Sequence, residues 1–107
     1  MPWYFYLLEL VSGLLLTNGI PHFVQGLCGH RFPSPFGSPP GVGESSPLSN
    51  ALWGFANLAG GSVLLWFFAP QAPDAVYGWI MVGLGSLLMA VFSSIHFGKV
   101  RAGMLKK

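Results

Sequence analysis

A chain of 107 residues with a formal net charge of +2 has room for one domain. Apolar residues make up 52% of it and charged residues only 7%, far below the ~25% that an ordinary soluble domain carries to keep its surface in water. Such a composition excludes a water-soluble sphere and favours a surface covered mostly by lipid. The single Cys28 excludes an internal disulfide.

The chain opens Met1-Pro2-Trp3-Tyr4 without a positive n-region, and the apolar stretch behind it is too long for a signal h-region. The first segment is therefore expected to stay in the protein. A helix is predicted over about residues 3–27, a loop over 28–46, a second helix over about 47–69, a third over about 75–98, and a basic tail over 99–107. A bilayer core needs ~20 apolar residues per crossing, so each helix is long enough to span. The expected fold is thus all-α, with three transmembrane helices. A soluble bundle would need a polar stripe on every helix, and the second and third segments hold no charged residue.

Local signals mark the boundaries. Ser46-Pro47 reads as an N-cap followed by proline at the first helical position. Pro70-Gln71-Ala72-Pro73-Asp74 reads as a tight connection that would make helices two and three antiparallel neighbours. Phe97-Gly98-Lys99 reads as a glycine C-cap with cations placed to suit the helix dipole. Prolines at 33, 35, 39, 40 and 47 argue against any regular element between helices one and two, and favour extended polyproline geometry.

Orientation follows from the cations. Arg31 lies in the first loop, and Lys99, Arg101, Lys106 and Lys107 lie in the tail. An odd number of crossings puts both regions on one side, and positive residues favour the cytoplasm. The expectation is N-terminus outside and C-terminus inside, with a Pro/Gly-rich cytoplasmic loop, in the cell inner (plasma) membrane. Cations beside an apolar helix suit a membrane surface better than nucleic acid, so no nucleic-acid partner is expected. Trp3, Tyr4, Tyr6, Trp66, Tyr77 and Trp79 would form the outer aromatic belt, with Trp53 in the inner leaflet.

Polar groups inside a bilayer are costly and mark candidate sites. Asn18, His22 and Gln25 share a helical face at i, i+4 and i+7. Asn50, Asn57 and Gly61 form a comparable stripe on helix two, and Ser93, Ser94 and His96 end helix three. At 1.5 Å per residue these groups fall in the inner half of the membrane. With Trp53 they are expected to line a polar pocket open to the cytoplasm, while the plainer expectation for Asn18 and Asn57 is hydrogen bonding between helices. Pro21 either kinks helix one or, with Asn18-Gly19, breaks it. Glu9, an intramembrane carboxylate near the outer end, is expected to reach water, to pair across a subunit interface or to serve proton or cation movement. Small residues at intervals of four (Gly13 and Thr17; Ala56 and Gly60; Ser86, Ala90 and Ser94) would let helices approach closely, within the bundle or in an oligomer.

The stretches Asn18-Gly19-Ile20-Pro21-His22-Phe23, Phe32-Pro33-Ser34-Pro35-Phe36 and Ser45-Ser46-Pro47, followed by Asn50 and Trp53-Gly54, resemble motifs of small uncharacterised bacterial integral membrane proteins. The resemblance covers the first half of the chain. It implies a bacterial inner-membrane location and no particular activity.

No complete catalytic or cofactor motif is present, and the leaning is towards a non-enzymatic role. Asp74 is expected on the opposite side of the membrane from the histidines, so a Ser/His/Asp triad cannot assemble. His22 and His96 are weak candidates for haem or metal ligation, and Cys28-Gly29-His30 offers at most two zinc ligands. The leading expectation is an oligomeric or accessory subunit that binds a lipid-like ligand or a partner helix in the inner-leaflet pocket, as a homo-oligomer or within a larger membrane complex. The alternatives are a small oligomeric transporter or channel, and a haem- or quinone-binding redox subunit.

Overall fold

The computed structural model describes residues 1–105; Lys106 and Lys107, at the end of the expected basic tail, lie outside the described residues. The described residues fold into three helices, α1 (Trp3–Leu27), α2 (Pro47–Phe67) and α3 (Ala75–Arg101). α1 and α3 are long and apolar enough to cross a membrane. α2 is diluted by Asn50, Asn57 and its glycines.

The burial pattern is inverted relative to a soluble protein. Glu9, Ser12, His22, Asn50 and Asn57 are buried, while Leu7, Leu52, Phe55, Val63, Leu84, Leu88 and Ile95 face outward. In water such a surface would form one large apolar patch and drive association. In lipid it costs nothing, and the interior is left to small and mutually bonded polar residues.

α1 is the central element. Ser12 donates to the Gly61 carbonyl at 2.9 Å, and Gly19, Phe23 and Gly26 pack on the backbone of α2 at Gly54 and Ala51. On the other side of the helix, Leu10, Gly13 and Leu14 meet Val82, Gly85 and Ser86 of α3. α2 and α3 form no comparable interface with each other, which corrects the expectation that their short connection makes them packed neighbours. A connection fixes only the ends of two helices. Glycines on both flanks of α1 let its backbone come close to each partner, so α1 inserts between them.

The small-residue stripes are used only in part within the bundle. Ala90 and Ser94 are exposed, as is Ala56. Gly13 and Ser86 do meet across α1 and α3, but the other close contacts to α1 come from Gly78 and Gly85 on α3, and Gly54 and Gly61 on α2. Spacing alone identifies a face that allows close approach, but not the face that is used.

Pro21 sits inside α1, which continues unbroken to Leu27, so the helix is not split at Asn18-Gly19. α1 and α3 end alike. Gly29 (φ 76°) and Gly103 (φ 75°) adopt the left-handed conformation, and the next residues bond backwards, His30 N–H to the Gln25 carbonyl at 2.9 Å and Met104 N–H to that of Lys99 at 2.9 Å. Gly98 is therefore not the cap expected of it. Val100, buried against the loop, holds one more turn in place before Gly103 ends the helix.

The loop also departs from expectation. Phe32–Pro33 and Glu44–Ser45 pair as two short antiparallel strands, β1 and β2. Proline lacks an N–H but keeps its carbonyl, so it is tolerated at such an edge. Between the strands the Ser34 carbonyl accepts from Gly37 N–H at 3.0 Å and Gly41 N–H at 2.9 Å, closing a compact turn. Ser46 caps α2 by accepting from Ser49 N–H at 3.1 Å, with Pro47 at the first helical position.

Candidate functional site

The candidate polar residues lie at the end of the bundle covered by the 28–46 loop, here called the loop end. Their centre is Asn50, whose side chain is fully buried (0% exposed). Its Nδ2 donates towards the carbonyls of Phe32 (3.0 Å), Ser45 (3.2 Å) and Ser46 (3.1 Å) and the Ser45 hydroxyl (3.0 Å). Because only acceptors surround Nδ2, Oδ1 faces His22 Nδ1 at 2.8 Å. That geometry makes Nδ1 the protonated ring nitrogen and leaves the lone pair on Nε2 when the ring is neutral. One asparagine on α2 thereby ties α1 to both strands of the loop.

Neighbouring contacts extend the clamp. The Ser34 and Ser45 hydroxyls lie 2.6 Å apart, and Ser34 Oγ accepts from Phe36 N–H at 3.1 Å. The Phe32 ring packs on Phe97 of α3 at 4.8 Å and on His22 at 5.4 Å. His96 Nε2 lies 2.6 Å from the Gly41 carbonyl and pins the tip of the loop to α3.

The helical face of Asn18, His22 and Gln25 is divided among three partners. Asn18 Nδ2 donates to Asn57 Oδ1 at 3.1 Å, and Asn57 Nδ2 donates to the Trp53 carbonyl at 2.8 Å. Gln25 Oε1 reaches His30 Nδ1 at 2.9 Å on the exposed rim. Asn18, His22, Asn50 and Asn57 thus satisfy one another or the loop instead of lining an open polar pocket, and Gln25 stands outside their network. In a dry setting paired polar groups are far less costly than orphaned ones.

The side chains of Trp53 and Ser93 stay apart from the network. Trp53 Nε1 and Ser93 Oγ are buried without a hydrogen-bond partner among the described residues. The indole packs edge-on against Phe36 at 5.3 Å. Together with Leu48, Leu52 and Ala56 these rings line an open apolar groove of about 460 Å³ between the loop and α2.

His22 and His96 meet the same side chain, Phe97, with ring centroids at 6.0 and 5.1 Å. Each histidine already bonds protein through one nitrogen. A haem or ion joining the two would have to displace Phe97 and release at least part of the clamp. No cluster of three or more His, Cys, Asp or Glu side chains suited to a metal is present among the described residues.

Glu9 lies at the opposite end, about 20 Å along α1 from His22 at 1.5 Å per residue. It is 1% exposed, and neither carboxyl oxygen has a partner among the described residues. It packs against Gly78 of α3, which Pro70 also flanks. The expectation that it reaches water is therefore corrected. The absence of a β-carbon at Gly78 makes space for the carboxyl inside the bundle.

Sequence reasoning missed Ser34, Ser45 and Arg31. The two serines pair across an 11-residue separation, which leaves no periodic signal. The sequence marks Arg31 only as a topological charge, yet it lines a cavity with Arg101 and Glu44. No protein-family model, curated protein or solved structure matches the chain, so the functional reading rests on this geometry and on the sequence.

Proposed function

We propose that this chain is a non-enzymatic membrane module with three crossings, acting as an oligomeric or accessory subunit whose loop end binds a lipid-like ligand. The observation that carries the reading is the construction of that end. A rigid polar clamp centred on Asn50 closes the bundle, and the apolar Phe36–Trp53 groove opens beside it. A preformed apolar cleft beside fixed polar groups is the usual form of a small-molecule site.

Several features support the third crossing. α2 has 21 residues, or about 31 Å at 1.5 Å per residue, close to the ~30 Å hydrocarbon core. Its asparagines are bonded inside, while Leu52, Phe55, Val63 and Trp66 face outward. The molecule is 47 Å long, against ~40–45 Å for a bilayer with its headgroups. Arg31, Lys99 and Arg101 gather at the loop end, while Trp3, Trp66, Tyr77 and Trp79 are exposed at the other. This distribution supports a cytoplasmic loop and C-terminus in a bacterial inner membrane.

Native mass spectrometry from mild detergent tests the role. The expected result is a complex that retains lipid or further subunits; a monodisperse, ligand-free monomer would sink it. Cys28, the single and exposed cysteine, tests the orientation. A membrane-impermeant maleimide should leave it unlabelled on intact spheroplasts and label it in inverted vesicles. Labelling from outside would reverse the proposed topology.

A further inference from the structure

The last turn of α3 and the start of the loop enclose a cavity of about 290 Å³ unlike the apolar groove beside Trp53. Its lining residues include two arginines, Arg31 and Arg101, and one acidic residue, Glu44. Phe32 and Val100 form part of the lining, and these are the two buried hydrophobic side chains among the described residues. Phe97 completes the apolar side and links the cavity to the Asn50 clamp through its contact with Phe32.

Two arginines brought together from residues seventy apart in sequence repel each other unless something negative lies between them. Glu44 offsets one charge and leaves a formal surplus of one. Neither guanidinium forms a side-chain hydrogen bond or an ion pair with Glu44 or another residue among the described residues. Guanidinium groups present planar donor forks that match the oxygens of a phosphate, and two of them can hold one phosphate from separate sides. The volume lies near the lower end of the ~300–1,000 Å³ common for ligand sites, which suits a headgroup-sized anion. Basic pockets at the cytoplasmic ends of transmembrane helices are well placed for anionic lipid headgroups.

We infer that the Arg31–Arg101 cavity is a phosphate-binding site, with Glu44 limiting its charge to that of one anion. The inference rests on the lipid-binding reading only for the source of the phosphate, since a soluble phosphate would use the same donors. Phe32 and Phe97 hold the two arginine-bearing segments in register, so the site exists only while the loop is clamped.

The test uses the full chain in mild detergent, titrated separately with phosphatidic acid, with phosphatidylcholine of the same acyl chains, and with inorganic phosphate, with binding followed by native mass spectrometry. Phosphatidic acid should bind more tightly than phosphatidylcholine. The double variant Arg31→Gln/Arg101→Gln should lower that affinity on the order of 10-fold or more, and Glu44→Gln should raise it. Both arginines are exposed, and circular dichroism of the variants checks that their helices persist. Arginine-dependent binding of inorganic phosphate without lipid binding would keep the site and remove the lipid reading. Lipid retained equally by the double variant would overturn the site and leave the lipid reading standing. If none of the three probes binds, both fall.

Discussion

Asn50→Leu is expected to release the 28–46 loop from the bundle while leaving the three helices in place. Leucine fills a similar volume but leaves the His22 Nδ1–H and the carbonyls of Phe32 and Ser45 without their Asn50 partner, while the Ser46 carbonyl keeps the backbone N–H of residue 50. Each buried group so orphaned costs about 1–3 kcal/mol. Water reaching the loop end can satisfy some of them, so a net loss of about 3 kcal/mol is expected rather than the full sum. Arg31, exposed at the start of the loop, supplies the readout, because trypsin should cut after it much faster in the variant. Asn18→Leu is the contrast. It breaks one bond to Asn57, and bonds of this kind between membrane helices are worth about 0.6 kcal/mol on average. Equal trypsin resistance in Asn50→Leu and the parent would show that the clamp does not hold the loop.

Gly85→Ala is expected to loosen the α1–α3 pair even though alanine is the better helix former. A β-carbon at Gly85 would collide with the Leu10 carbonyl and lie 3.0 Å from Leu14 N. Both are backbone atoms and cannot swing away. Overpacking of this kind costs about 1–3 kcal/mol, against a gain of about 1 kcal/mol in helix propensity. The clash should win because it involves two backbones that are fixed by other contacts along the same interface. Gly83→Ala, two residues away, meets nothing within 4 Å and should be neutral or slightly stabilising. Thermal melting in detergent separates the two variants. If Gly85→Ala melts no lower than Gly83→Ala, the close approach of α1 and α3 is not what the geometry indicates.

The two variants concern different parts of the same architecture. Gly85 belongs to the face of α3 that lets α1 sit centrally, and Asn50 to the bond that closes the loop over the result. The Arg31–Arg101 cavity depends on both. α3 must lie against α1 for Phe97 to reach Phe32, and the loop must be fastened for Arg31 to reach the end of α3.

The amino-acid sequence by itself determined the features that depend on local composition and spacing. Few charges and long apolar runs sufficed for the helices, and Ser46-Pro47 for the start of α2, because a helix and its cap are decided within a few residues. The polar candidates were legible for the same reason, since an asparagine or histidine within an apolar run stands out without any partner in view. Tertiary structure alone decided which of them meet. Asn18 and Asn57 bond between helices as their placement in apolar runs suggests, and the structure adds that they bond each other; Glu9 could have faced water, but Gly78 gives it room inside. On α3, Gly78, Gly85 and Ser86 meet α1 while Ala90 and Ser94 face outward, because close approach requires the two helices to match in shape at the same height. That register is a property of the pair, and no single helix encodes it.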